Sequence, residues 1–225
     1  MTQSNIKQIL DTLEMLQEQL LSLPDDMILS IDPRDNDSLE RGTAFIKAFN
    51  ENLGLFTESS RKIALQLKEH FGINPEEEEL EQESENHARR ERIIKELDNS
   101  APHYLTEDFT YKRPYGFVLE NNAFKGLKTW KSLYMHLLAS LERTDAQKFR
   151  ALVNEEKFIS KRGKPQFATS EQPLRVAEKY DENFFVEVNL SANMIRNIIF
   201  ELLQHFNIQP ESMKIYLRED RDAGK

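Results

Sequence analysis

The chain has no cysteine and only seven glycines in 225 residues. Without thiols there is no disulfide framework, no thiolate zinc site, no iron-sulfur cluster and no cysteine nucleophile, and a reducing cytoplasm is the expected setting. With so few glycines there is little material for a phosphate cradle, and no Walker A loop, G-x-G-x-x-G or G-x-S-x-G occurs. The five histidines (His70, His87, His103, His136 and His205) form no H-E-x-x-H or HNH pattern and no pair on one helical turn, so neither metal nor other cofactor is expected. No apolar run approaches the length of a membrane span, and Met1 to Ile6 lack a basic region followed by an apolar core.

Charge, by contrast, is abundant and uneven. Residues 1–100 carry 11 Lys and Arg against 22 Asp and Glu, whereas residues 101–225 carry 19 against 17. The acidity therefore belongs to the N-terminal part, where it serves solubility, and a nucleic-acid partner would meet the C-terminal part. The length suits two modest domains, placed at residues 1–98 and 99–225.

In the first part, Ile6, Ile9, Leu13, Leu16, Leu20 and Leu23 recur at 3,4,3,4,3 spacing, which predicts a coiled-coil-like seam on a helix ending before Pro24. A second helix, capped by Asp37 or Ser38, carries Leu39, Phe45, Ile46, Phe49, Leu53, Phe56, Ile63, Leu67 and Phe71, with Gly54 as a break or close-approach point. The seam serves equally as the core of an intramolecular hairpin or bundle and as a homodimer or partner-protein surface. Asn74 and Pro75 then start a helix running to Leu97, acidic early and basic late, with a sparse apolar stripe. It reads as a solvated charged spacer.

The second part predicts a small mixed α+β domain. Residues 115–120 and 123–128 form a hairpin turning at Asn121 and Asn122. Thr129 caps a helix with Trp130, Leu133, Leu137, Leu138 and Leu141 on one face, and Thr144 to Gln147 spells a capping box for a short helix. Trp130, in the first turn of an amphipathic helix, reads as core. Residues 184–190 are the clearest strand, Ser191 or Asn189 caps the next helix, and Met213, Ile215 and Leu217 alternate as a last strand before a disordered tail past Arg218.

One basic cluster stands out: Lys157, Lys161, Arg162 and Lys164, with Arg150 close in sequence. With Phe158 and Phe167 beside it, the mixture suits a nucleic-acid strand, charge following phosphate and rings stacking on bases; the plainer reading is a solvated loop.

The stretch from Lys112 to Leu217, with its hairpin into Thr129-Trp130-Lys131 and its V-E-V-N-L-S-A-N (186–193) and I-Y-L (215–217) segments, resembles an uncharacterised α/β module appended to bacterial restriction and phage-defence proteins. The resemblance implies a cytoplasmic bacterial setting and an accessory or recognition role, and carries no catalytic residues across. The expected function is a non-enzymatic adaptor or regulator: helices for self-association or docking, the C-terminal domain for recognising nucleic acid or a partner protein. The alternative is a divergent metal-dependent nuclease or hydrolase subunit built on Glu187, with Asp181 upstream. Against it, Asn189 stands where the E-x-K motif needs lysine.

Overall fold

A computed structural model describes residues 3–72, 87–160 and 163–219. The chain forms two compact units, Met1–Asn86 and His87–Lys225. This division falls earlier than 98/99 for a packing reason: α3 (His87–Leu97) buries Ile93 and Leu97 against Val118, Ala123 and Tyr216 of the second unit. The acidic first turns expected for that helix, and its Asn74-Pro75 start, lie outside the described residues.

The first unit contains a helical hairpin, α1 (Gln3–Ser30) and α2 (Asn36–Phe71). Ile6 and Leu10 pack on Ala64, Leu67 and Phe71 near one end, and Ile31 sits on Gly42 at the other, so the helices run antiparallel. Contrary to expectation, α1 continues through Pro24 for another turn and a half. Proline removes one helical hydrogen bond and crowds the preceding turn, but the seating of Ile31 on Gly42 anchors the chain beyond it. The cap of α2 is neither Asp37 nor Ser38: the Asp35 carboxylate accepts from the Asp37 amide at 3.0 Å, while the Ser38 hydroxyl accepts from the Asp32 amide at 3.3 Å. Nor is Gly54 a break or a close approach, since α2 runs through it and nothing lies within 4 Å of where its Cβ would be.

The second unit has an α+β arrangement with two three-stranded antiparallel sheets rather than one. The first orders its strands β2 (Asn122–Lys125), β1 (Pro114–Leu119), β6 (Met213–Leu217). Both its faces are covered, Phe117, Leu119 and Phe124 joining the main core and Val118 and Tyr216 meeting α3. This is why β1 reads as a nearly continuous apolar run instead of an alternating one. Gly116 is required there: a Cβ would fall 2.4 Å from the Phe124 carbonyl oxygen. The β1–β2 turn places positive φ on Glu120, at 52°, rather than on either asparagine.

The second sheet orders β3 (Phe167–Ala168), β5 (Phe184–Glu187), β4 (Ala177–Asp181). Phe167, Phe184 and Val186 enter the main core, and Ala168 and Phe185 meet Leu174 in a satellite cluster. Between the sheets in chain order come α4 (Trp130–Thr144) and α5 (Ala146–Ala151), and α6 (Ala192–His205) follows β5. Thr129 and Ser191 cap α4 and α6 as expected, accepting from Ser132 and Met194 amides at 3.1 and 3.4 Å. The capping box at Thr144 does not form; Thr144 ends α4 and the Asp145 carboxylate caps α5, accepting from the Lys148 amide at 2.9 Å. Trp130 is fully buried, its indole N–H donating to the Lys112 carbonyl at 2.8 Å. Among the described residues no helix is long and apolar enough to cross a membrane.

Candidate nucleic-acid interface

The five basic residues of the expected interface are placed very differently. Lys161 and Arg162 lie outside the described residues. Lys164 is exposed at the close of a tight turn, where the Ser160 amide donates to the Lys164 carbonyl at 2.7 Å and the Lys164 amide donates to the Ser160 hydroxyl at 3.0 Å. Gly163 takes φ 71° in that turn, a conformation glycine adopts without steric cost. The Ile159–Pro165 bridge and the bond from the Gln166 amide to the Phe158 carbonyl, 2.9 Å, close its base.

Arg150 is committed to its own unit. Its guanidinium bonds to Asp181 and to Glu142, the latter at 2.5 Å, and lies 5.7 Å from the ring centres of Phe149 and Phe184. Glu142 also accepts from the Tyr180 hydroxyl at 2.7 Å. The hydrogen bond donated to Asp181, with the charges of Glu142 and Asp181, pushes the guanidinium further toward its charged form despite some burial. Two carboxylates already answer this charge, so it has little left for a phosphate.

Lys157 occupies a 3-10 turn, Glu156–Phe158, with its ammonium 3.4 Å from the Glu201 carbonyl and 5.1 Å from the Phe158 ring centre. Burial lowers its pKa, opposed by Glu201 and Glu155 and reinforced by Lys148. Lys148, which the sequence pattern did not single out, lies 5.6 Å over Phe206. His205, the last residue of α6, stands edge-on to Phe158 and Phe206 at 5.9 and 5.7 Å. Burial, then the charge of Lys157 and also that of Lys148, lower the imidazole pKa against the pull of Glu155, and its Nε2 is buried with no hydrogen-bond partner. Lys148, Lys157 and His205 thus converge around Phe158 and Phe206, with Glu155 acting on both Lys157 and His205. At neutral pH the two ammonium groups are the charged members of this group, because the imidazole, pushed below its ordinary value, is then neutral. No local sequence signal points to it, because Lys148 in α5 and His205 at the end of α6 are far apart in the chain and meet only through the fold.

The two aromatic residues expected to stack on bases do not line this surface. Phe158 and Phe167 are buried against each other, ring centres 5.3 Å apart, and belong to the main core.

The acidic residues of the alternative reading are held in structural bonds. Glu187 is 5 % exposed, one carboxylate oxygen accepting from the Arg175 amide at 2.6 Å and the other from the Asn189 and Val176 amides at 2.8 and 3.3 Å. Asp181 takes Arg150 and the Asn183 amide, 2.9 Å. Among the described residues no group of three or more His, Asp or Glu side chains is arranged to hold a metal ion.

In the hairpin, the expected seam is only partly the packing seam. Ile6 is buried, Leu13, Leu20 and Leu23 are half-buried, and Ile9 and Leu16 are exposed. Leu10, outside the 3,4 pattern, takes the buried place beside Ile6. Comparison of the chain with family models, with curated proteins and with solved structures gives no match.

Proposed function

We propose that the chain is a cytoplasmic, non-enzymatic adaptor or regulator whose helical hairpin mediates self-association or docking and whose second unit recognises a nucleic acid or a partner protein through its basic surface. The resemblance of residues 112–217 to a module of restriction and phage-defence proteins is the ground for placing it in a bacterial defence setting. The observation that carries the reading is the convergence of Lys148 and Lys157, held over the Phe206 and Phe158 rings on either side of His205, close in the chain to Lys164. The bonding of Glu187 and Asp181 to their own backbone and to Arg150 supports recognition over metal-dependent hydrolysis.

The test is binding of the full chain to fluorescent single- and double-stranded DNA and RNA over a range of salt. Each phosphate neutralised contributes about 0.9 to the logarithmic salt slope on duplex DNA, so three contacts weaken binding roughly 40-fold for a fourfold rise in salt. Neutralising Lys161, Arg162 and Lys164 together lowers that slope, and neutralising Lys148 and Lys157 as well removes most of it, whereas Arg150→Ala, whose charge is already paired, leaves it nearly unchanged. No binding, or a flat salt response, removes the nucleic-acid version and leaves the partner-protein version.

A further inference from the structure

We propose that the side of the hairpin bearing Ile9, Leu16, Phe45 and Ile63 is a self-recognition face that pairs with the same face of a second copy, making a four-helix assembly. The proposal rests on the self-association reading above and names both the surface and the occupant.

Helical geometry puts these four side chains on one side. At about 100° per residue, Ile9 and Leu16 sit roughly 80–100° round α1 from the Ile6–Leu10 packing line. Phe45 and Ile63 sit about 80° round α2 from the buried line through Leu53 and Ser60. Both rotations have the same sense counted along the chain, and because the helices run antiparallel, both turn toward the same face. The pairing of Ile6 and Leu10 with Ala64, Leu67 and Phe71, and of Ile31 with Gly42, sets the level: Ile9 lies beside Ile63, and Leu16 beside Phe56. Ile9 is 40 %, Leu16 42 %, Phe45 53 % and Ile63 46 % exposed. Half-exposed aliphatic and aromatic groups recurring along both helices form a contiguous patch of the kind that marks an interaction site, not scattered surface apolars.

Charge then selects the occupant. The outer edge of this face on α1 is Asn5, Thr12 and Gln19, while Lys7, Asp11, Glu14 and Glu18 fall on the opposite flank. On α2 the edge is Ala48, Asn52, Ser59 and Gln66, while Lys47, Glu51, Glu58 and Lys62 lie away from it. Arg41 and His70 appear at its two ends. Between those ends the face carries no charge, which offers a strongly acidic or basic partner little to recognise. It suits a second copy, because a two-fold contact sets each residue against its own surroundings and any like charges would meet. That constraint matters here: residues 3–72, which hold both helices, carry 12 acidic against seven basic side chains, and this flank is where two such surfaces can approach with least repulsion. The size is also sufficient. With α1 28 residues long, the face is about 40 Å by 20 Å, or roughly 800 Å² a copy, which is what a stable two-chain interface buries on each side.

The experiment is the solution mass of the full chain by light scattering at tens of micromolar, for wild type, Ile9→Glu/Ile63→Glu and, about 160° round α2 from Ile63, Leu65→Glu, with helicity by circular dichroism and nucleic-acid binding on the same samples. Wild type and Leu65→Glu are expected at twice the 26.4 kDa chain mass, and Ile9→Glu/Ile63→Glu at the single-chain mass with unchanged helicity. A monomeric wild type overturns the proposal, as does a dimer that survives Ile9→Glu/Ile63→Glu with its helicity intact. Should that variant lose helicity, Leu16→Cys decides, since the chain has no other thiol: rapid oxidation to a linked dimer upholds the face, and failure to link refutes it. A monomeric wild type that still binds nucleic acid in a salt-dependent way removes this interface alone, while a dimer without such binding leaves the interface standing.

Discussion

Glu187→Ala should unfold the second unit more readily than almost any other single acidic deletion. The carboxylate is buried and accepts from three backbone amides, those of Arg175, Asn189 and Val176, so it ties the entry of β4 to the exit of β5. Hydrogen bonds to a charged acceptor contribute about 1.5–3 kcal/mol each, and the 3.3 Å contact adds little. Removing the side chain strands two well-placed amides, for an expected loss of about 3–5 kcal/mol. In a domain of this size that is roughly 10–15 °C of melting temperature. Glu187→Gln keeps one accepting oxygen and turns an NH2 group toward an amide donor, so about half of the loss is expected. The assay is urea unfolding followed by fluorescence of Trp130, the one tryptophan, which is buried in this unit. A Glu187→Ala variant within about 1 kcal/mol of wild type would refute the latch. The same experiment bears on hydrolysis. With both oxygens occupied, millimolar manganese or magnesium should leave the wild-type midpoint where it is, and a metal-dependent rise through linkage would favour the metal-dependent hydrolase instead.

Two further predictions concern packing and protonation. Gly116→Ala drives a methyl group to 2.4 Å from the Phe124 carbonyl and 3.1 Å from Leu97, so about 1–3 kcal/mol of destabilisation is expected, read by the same fluorescence; Gly54→Ala, in open space within α2, should gain about 0.5–1 kcal/mol, read as hairpin helicity on heating. His205 should titrate below its ordinary value of 6.5 by nuclear magnetic resonance of the ring protons, and added sulfate should raise it if the cationic group takes anions. The unfolded chain then binds the proton more readily, so His205's contribution to stability is complete above pH 6.5 and declines on acidification toward its folded pKa; a sulfate-insensitive titration would count against the anion site.

The elements of this protein were legible because short-range periodicity and caps encode them. Thr129 and Ser191 are caps, Trp130 is core, and Ile195, Ile199, Leu202 and Leu203, at helical spacing, form the buried side of α6. Where local rules failed, a distant contact outweighed them. Pro24 sits inside α1 because Ile31 reaches Gly42, and the α3 residues Ile93 and Leu97 join the second unit because Val118 and Tyr216 offer them a covered sheet face. The strand Ala177–Asp181 escaped notice since its residues A-E-K-Y-D carry almost no β signature and are held by pairing with Phe184–Glu187.

The candidate site shows the same division more sharply. Composition alone determined that the chain has no thiol chemistry, that its acidity is N-terminal and that its basic loop follows residue 156. Which cations are available was decided only in three dimensions: Arg150 is answered by Asp181 and Glu142, Lys148 joins Lys157 and His205, and Phe158 and Phe167 turn inward. Sequence reports how many charges and rings a segment holds, because those are properties of single residues. Whether a charge already has its counter-ion, or a ring its core, is a property of pairs far apart in the chain, and folding alone brings them together.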